Sequence, residues 1–466
     1  MQGQPFVRNG KTLLSGKDPV GRCGQIADAV NVQDRTLYFC PSPIYGYGID
    51  KLMARLETMA PNSAVLCVEA DKELFELAQS HIDVSGKRLH LTGDCDSGNL
   101  CALVRNVWGA RAFRRIETIR FTGGWQLYPD IYNSLHDALQ REIATDWSNT
   151  LTLAKLGRLY IRNFFKNLSL LNRFPSVGEL SFGDAPVLVL GAGPSLDETL
   201  DALAAHFKGN LAPETRPFKI VCADTCLGAL ADRELVPDLT VILESQHWNL
   251  RDFIGHGGWD IPAAVDLSAL PQSALFFSKG YVFLTPWTQL RIFERLKAAS
   301  LLPEVIPPLG SVGLTAVEIT RRITRGAIIC AGLDFSFAVD KYHARSTPGA
   351  RTRLNTRGRF TSSVFPNTYE TSFSAVSKSG SPVRSSPIMR NYRDLFEQEF
   401  SELKFSELKF GGEQRIFDIT GTGLPLGIKT LSMEDAMGVL VKSCSNFSTQ
   451  STQGTQRHGE ELFDFI

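Results

Sequence analysis

The chain has 466 residues, enough for two or three domains, and its 49 basic side chains balance 49 acidic ones. Zero formal net charge gives no global field to attract nucleic acid or an anionic membrane surface, so neither is expected as a partner. No apolar run approaches the ~20 residues of a membrane span, the opening MQGQPFVRNGKTLLSGKDPV lacks the apolar core of a secretory signal, and the nine cysteines are scattered without a C-x-x-C pair. Cys40, Cys67, Cys222 and Cys330 lie in apolar runs, which reads as reduced, buried thiols in a cytoplasmic protein rather than a disulfide or zinc framework.

Residues 1–140 alternate strand and helix signals and are expected to form a Rossmann-like domain. TLYFC (Thr36–Cys40) predicts a strand, PSPIYGYG a loop, IDKLMARLETMA an amphipathic helix and AVLCVEAD (Ala64–Asp71) a second strand ending in acid. Glu69 follows Gly46 and Gly48 by about twenty residues, the spacing at which a dinucleotide or adenosyl-methionine fold places its ribose acid. With one glycine pair and no third glycine, both a structural unit and a working cofactor site remain open. GDCDSG carries Asp94-x-Asp96, a spacing that some sugar transferases use for a metal; aspartates also cap turns, and a strand-end turn without metal is expected. Residues 141–185 read as a helical connector. NTLTLAKLGRLYIRNFFKNLSLL has apolar positions at helical spacing, and NRFPSVGELSFGDAP breaks it.

Residues 186–345 predict a second α/β domain with a mostly parallel sheet covered on both faces. PVLVLGAG, FKIVCAD (Phe218–Asp224), LTVILES (Leu239–Ser245), AAVDL, ALFFS, YVFL and AIICAGLDF (Ala327–Phe335) read as strands. TCLGALADREL, QLRIFERLKAA and the start of GSVGLTAVEITRRIT read as helices. After about residue 345 the composition changes: RSTPGARTRLNTRGRFTSSVF is rich in Arg, Ser and Thr. Its Arg345, Arg351, Arg353, Arg357 and Arg359, without acids near them in sequence, suit a lid or an anion contact, or else a solvated loop. FSELKFSELKF (Phe400–Phe410) repeats five residues in tandem and suits a helix, so 346–442 is expected to be mostly helical. The polar, aperiodic 443–466 reads as a disordered tail.

The stretch GAGPSLDE decides the chemistry. It has no lysine for a phosphate loop of the G-x-x-x-x-G-K-[ST] type, and Leu196 stands where a dinucleotide loop needs its third glycine. Gly191 and Gly193, lacking Cβ, let the backbone come close to a ligand, with Pro194 between the turn and the helix. Ser195 is expected to cap the helix and Glu198 to complete a capping box. The turn amides favour an anion, whereas Asp197 and Glu198 oppose a highly charged one, so one phosphate is easier to place than three. Other strand ends add polar groups that a doubly wound sheet gathers at one crevice: Asp224 and Thr225, Glu244, Ser311 with Gly313 and Thr315, and Asp334. His343 in DKYHARS, Asp334 and Glu244 are the candidate general bases. A surface-loop histidine, a ribose contact and a helix-ordering acid are their ordinary alternatives.

VLVLGAGPSLDETLDAL, IVCADTCLGALADRELVPDLTVILES and PLGSVGLTAVEITRRITRGAIICAGLDFSFAVDKYHA occur in the order seen in the motility accessory factor (Maf-type) glycosyltransferases of the MptE-like superfamily, which this chain resembles over about 180–345. That family is similar to bacterial sialyltransferases. The resemblance implies a Rossmann-like, sialyltransferase-type central domain that moves a nonulosonic acid, pseudaminic or legionaminic, from its CMP-activated form to Ser or Thr of flagellin. It implies no permanently bound cofactor and no metal. A related branch resembles an archaeal pterin pyrophosphokinase, so an ATP- and magnesium-dependent enzyme is one rival reading. A catalytically inactive flagellar binding or chaperone module is the other.

Overall fold

The computed structural model describes residues 6–86, 88–109, 111–207, 212–254, 260–287, 290–337, 341–356, 358–359, 371–401, 415–419 and 421–442. The expected tail 443–466, most of the FSELK repeat and Arg357 lie outside them. The chain forms two compact units, Met1–Leu156 and Gly157–Ile466.

In the first unit a hairpin, β1 (Phe6–Arg8) and β2 (Lys11–Leu14), precedes a four-stranded sheet. The sheet strands are β3 (Thr36–Pro41), β4 (Ala64–Val68), β5 (Leu89–Thr92) and β6 (Arg115–Thr118), all parallel, in the order β5-β4-β3-β6. β3 and β4 are buried along their whole length, as continuous apolar runs between covering helices should be. Those helices are α1 (Pro19–Ala29), α2 (Ile49–Met59), α3 (Lys72–His81) and α4 (Ser97–Trp108). Short acids start three of them: Asp18 accepts from the Gly21 amide, Asp71 from Glu73 and Leu74, and Asp96 from Asn99 at 2.8 Å. Asp96 is therefore a cap, and Asp94 accepts its amide at 2.9 Å, so GDCDSG is a strand-end turn.

The expected boundary at 140/141 falls inside one helix, α5 (Pro129–Asn167), whose 39 residues run through the division between the units. In the second unit the sheet has seven parallel strands: β7 (Val187–Leu190), β8 (Lys219–Ala223), β9 (Leu239–Ile242), β10 (Ala263–Asp266), β11 (Gly280–Phe283), β12 (Ile328–Ala331) and, after the hairpin β13 (Phe373–Val376) and β14 (Pro382–Ser385), β15 (Ile416–Asp418). Their order is β11-β10-β9-β8-β7-β12-β15, so the 346–442 region, besides helices, supplies an edge strand to the central sheet. One face packs on α6 (Leu196–Phe207) and α7 (Leu227–Ala231), the other on α9 (Val312–Ile323) and the helix Pro387–Phe400; α8 (Arg291–Ala298) has no fully buried residue. Two expectations are corrected here. ALFFS is a 3₁₀ turn at Ser273–Phe276, not a strand, because a short apolar run carries no period to distinguish the two. TCLGALADREL gives only a 3₁₀ turn and the five-residue α7.

Candidate functional site

In the second sheet the chain runs outward from β7 through β8 to β11 and then returns to place β12 on the other side of β7. The carboxyl ends of β7 and β12 therefore flank the point where the winding reverses, the position at which such sheets open a crevice. The two strand-end turns approach each other closely there. The Gly191 amide donates to Ala331 O and the Gly193 amide to Gly332 O, each at 2.8 Å. Gly332 has φ of 68°, a backbone state that favours glycine. A Cβ on Gly191 or Gly193 would lie 2.6 Å from Gly332 O, and one on Gly193 would also meet the Asp334 carboxylate. The neighbouring turn by itself therefore requires both glycines. Gly313 is a milder case, with Leu333 Cδ2 at 2.5 Å from the missing Cβ.

Asp334 closes this junction. Its Oδ2 accepts from the Ser195 amide at 2.8 Å, and its backbone carbonyl accepts from Leu424 N at 2.8 Å. Its Oδ1 is buried without a hydrogen-bond partner, and burial raises its pKa against the hold of the Ser195 amide. The Ser195 hydroxyl is likewise buried and unpartnered, so the expected capping box does not form; the distant carboxylate has taken the Ser195 amide and left the side chain idle. Pro194 lies half-buried in the same turn. Asp197 also departs from expectation. It is buried, and Lys341 at 2.8 Å, Arg233 at 3.0 Å and the Arg345 amide at 3.1 Å surround it. Burial pushes its pKa up, but these partners outweigh it and the net shift is downward. Its charge is spent on them and no longer opposes an anion at the turn.

The loop that supplies Lys341 also brings His343. Ala344 N donates to Ala192 O at 3.1 Å, which pins this segment to the glycine turn. The imidazole is largely buried, its Nδ1 has no partner, and burial, helped by the charge of Arg353, pulls its pKa down to about 4. His343 is a neutral imidazole whose open Nδ1 lies close to Gly349, in a segment whose next residue is bonded to the turn. The arginines that follow are not free of acids, as their sequence neighbourhood suggested. Arg345 pairs with Asp201 at 3.1 Å, Arg351 approaches Asp232 at 3.8 Å, and Arg353 lies over the Tyr342 ring at 4.2 Å.

A second polar cluster sits at the ends of β8 and β9. Asp224 Oδ1 accepts from Thr225 N at 2.8 Å, and Oδ2 accepts from Asn249 Nδ2 at 2.7 Å. The same Asn249 amide donates to Asp252 at 3.0 Å, and Ser273 donates to Asn249 Oδ1. Burial raises the pKa of both Asp224 and Asp252; the Glu244 charge adds to the rise at Asp224, and Asp224 and Glu244 add to the rise at Asp252. Glu244 is half-buried and accepts the Gln246 amide at 2.8 Å. Beside it Ser245 Oγ is buried and unpartnered. Asn163 and Asn167, one turn apart on α5, fix these strand ends: Asn163 donates to Ser245 O and Ser268 O, and Asn167 to Leu267 O and Ala269 O. At α9, Thr315 donates to Ser311 O at 3.0 Å, and Ser311 makes no side-chain cap.

The structure therefore groups Gly191, Gly193, Pro194, Ser195, Asp334 and His343 at one junction and Asp224 and Thr225 with Asn249 at the next strand end. Sequence reasoning missed Asn249, Asp252 and Lys341. It also missed Lys378, buried and ion-paired with Asp418 and near enough to Asp334 for each to feel the other's charge. None carries a motif; the β12-to-β14 return places Lys378 there. In the first unit Glu69 takes Ser42 Oγ at 2.7 Å and the Asp71 amide and Tyr132 OH at 3.2 Å. A Cβ on Gly46 would meet Ile82, and one on Gly48 would meet Cys23 O, each at 2.7 Å. That glycine loop is filled by its own chain.

Residues 160–340 match the family described as 6-hydroxymethylpterin diphosphokinase MptE-like. An uncharacterized protein of Treponema pallidum (strain Nichols) is 30% identical over 325 residues, 68% of this chain and 54% of that one, so the chain spans about half the length of this relative. A solved Maf glycosyltransferase from Magnetospirillum magneticum AMB-1 is 14% identical, superimposes with a TM-score of 0.57, and is covered over 95% of this chain and 74% of its own. Residues 160–340 are similar to the MptE-like family, and the chain shares its fold with a Maf-type protein.

Proposed function

We propose that the protein is a glycosyltransferase that moves a nonulosonic acid from a CMP-activated donor to Ser or Thr hydroxyls of flagellin. One observation carries the reading of the site. Among the described residues, buried side-chain atoms without a hydrogen-bond partner are Ser195 Oγ, Ser245 Oγ, Thr285 Oγ1, Asp334 Oδ1, His343 Nδ1 and, in the other unit, Thr36 Oγ1. The first four of these follow the carboxyl ends of β7, β9, β11 and β12, and His343 is pinned beside β7's turn. An unmet buried polar atom costs about 1–3 kcal/mol, and such atoms gathered along one sheet edge support a ligand's place there.

In this reading the Ser195 hydroxyl and the α6 turn hold the single phosphate of CMP. Lys341 and Lys378 are already engaged with Asp197 and Asp418, so little uncommitted positive charge remains, and one phosphate asks less of it than three. Asp224 and Glu244, at the neighbouring strand ends, face the ribose. Transfer passes through an oxocarbenium-like state, and His343 Nδ1 takes the proton of the acceptor hydroxyl as it attacks the anomeric carbon and the C–O bond to CMP breaks. The anionic donor raises the pKa of a burial-depressed imidazole toward the range a base needs. Asp334, held by the Ser195 amide, orients the turn.

Intact-mass analysis of flagellin, incubated with CMP-pseudaminic acid and this protein, tests the reading. A mass increase of one nonulosonate residue that His343→Ala abolishes is expected. An unmodified flagellin, together with turnover of ATP and magnesium on a hydroxymethylpterin, would replace it with the diphosphokinase chemistry named by the family description.

A further inference from the structure

We propose that the first unit holds a separate binding site for a small organic anion, a carboxylate or phosphate head on a flat apolar body. Its place follows from topology. The first sheet, ordered β5-β4-β3-β6, reverses between β3 and β6, as the second does between β7 and β12. The glycine loop on one side of β3 is closed by Ile82, Cys23 and Phe121. On the other side, at the carboxyl ends of β3 and β6, a cavity of about 90 Å³ opens, lined by Phe39 and Pro41 of β3, Thr118 and Arg120 at the end of β6, Trp125, and Asn133 and His136 of α5. That volume admits several waters and hence the head of a small ligand, with the body leaving through the open side.

The lining sets the ligand's chemistry. No acid lines the cavity. Arg120 lies over the Trp125 ring at 4.4 Å, is exposed, and has no carboxylate partner among the described residues. A guanidinium fixed flat on an indole keeps its edge donors for a carboxylate or phosphate. The Asn133 amide is exposed at the mouth, and Thr118 adds a hydroxyl. Trp125, half-buried, offers the apolar wall that a flat body needs, with the buried Phe39 and Pro41 forming the floor behind it. Glu69 does not compete, because its oxygens are taken up by Ser42, Tyr132 and the Asp71 amide.

Ligand-detected NMR on the full chain tests this with benzoate and phenyl phosphate as probes and inorganic phosphate as the bare anion. Saturable binding of the two aromatic probes is expected. Arg120→Gln should weaken it about tenfold, the size of one charge-assisted hydrogen bond. Asn133→Asp, which sets a carboxylate at the mouth, should do the same; both residues are exposed, so the variants fold. CMP binding by Arg120→Gln should equal that of the parent, which separates this site from the one in the second unit. No saturable binding, equal binding by Arg120→Gln, or inorganic phosphate binding as tightly as benzoate would overturn the proposal.

Discussion

The two sheets reverse their winding in the same way, at β3/β6 and at β7/β12, yet they treat the resulting crevice differently. In the first unit the acid after β4, Glu69, accepts three donors of its own chain, and the glycine loop is packed by Ile82 and Cys23. In the second unit the glycine turn is packed more closely, by Asp334 and Gly332, and Ser195, Asp334 and His343 each keep an idle polar atom. Topology supplies a crevice in both; in the first the turn's polar groups are met within the chain, and in the second three are not.

Substitution at the tighter turn should have the largest effect. Gly193→Val drives its Cβ into Asp334 and Gly332 and should destabilise the chain by about 3 kcal/mol, the upper end for overpacking. Gly46→Ala meets only the Ile82 side chain and the strain of φ at 71°, and should cost about 1–2 kcal/mol. Urea unfolding measures both, and equal midpoints would remove the distinction between the turns.

Acid should come next. His343 is pulled down to about 4 in the fold and titrates near 6.5 when unfolded, so the unfolded chain binds more protons between these values. Its neutral form therefore stabilises the fold fully above pH 6.5, and this contribution, up to about 3 kcal/mol, is lost as pH falls toward 4. Asp266, raised to about 6 by burial, acts with the opposite sign in the same window. Comparison with His343→Gln cancels it: the variant should gain on the parent as pH falls. The burial shift of His90 in the first unit has the same direction with less burial, and His90→Gln should show a smaller gain. A difference between parent and His343→Gln that stays flat from pH 7 to 4 contradicts the buried neutral imidazole.

The sharpest contrast sets stability against nucleotide binding. Glu69→Leu strands Ser42 and Tyr132 and should cost about 2 kcal/mol without touching nucleotide binding. Ser195→Ala removes a buried hydroxyl without a partner, so the fold should gain about 1 kcal/mol or more while nucleotide affinity falls about tenfold. Thermal melts and titration calorimetry on both variants separate the two outcomes.

Much of the fold was legible. The strands β3, β4, β7, β8, β9 and β12 are uninterrupted apolar runs bounded by polar turns, and the alternation with helices implied parallel sheets. The clustering of strand ends also followed, since a doubly wound sheet leaves little choice. What failed was local logic applied where a distant residue decides. Ser195 and Glu198 have capping-box spacing, but Asp334, 139 positions away, claims the Ser195 amide. Asp197 looked like a charge facing the ligand until Lys341 and Arg233 folded onto it. The arginines after 345 looked unpaired because Asp201 and Asp232 are far off in sequence. Helical periodicity marked 149–171 as helix but gave no sign that Asn163 and Asn167 tie down two strand ends, those of β9 and β10. Spacing reports propensity, whereas partnership across the sheet edge is set by topology.

The central claim, that the β7/β12 crevice takes a nucleotide with one phosphate and no metal, is tested most directly by titrating CMP into the protein by calorimetry in the presence of a chelator, alongside Ser195→Ala. The account predicts saturable binding by the parent, unchanged by the chelator and about tenfold weaker in the variant. Binding that appears only with ATP and magnesium, or CMP binding that ignores the loss of the Ser195 hydroxyl, would contradict it.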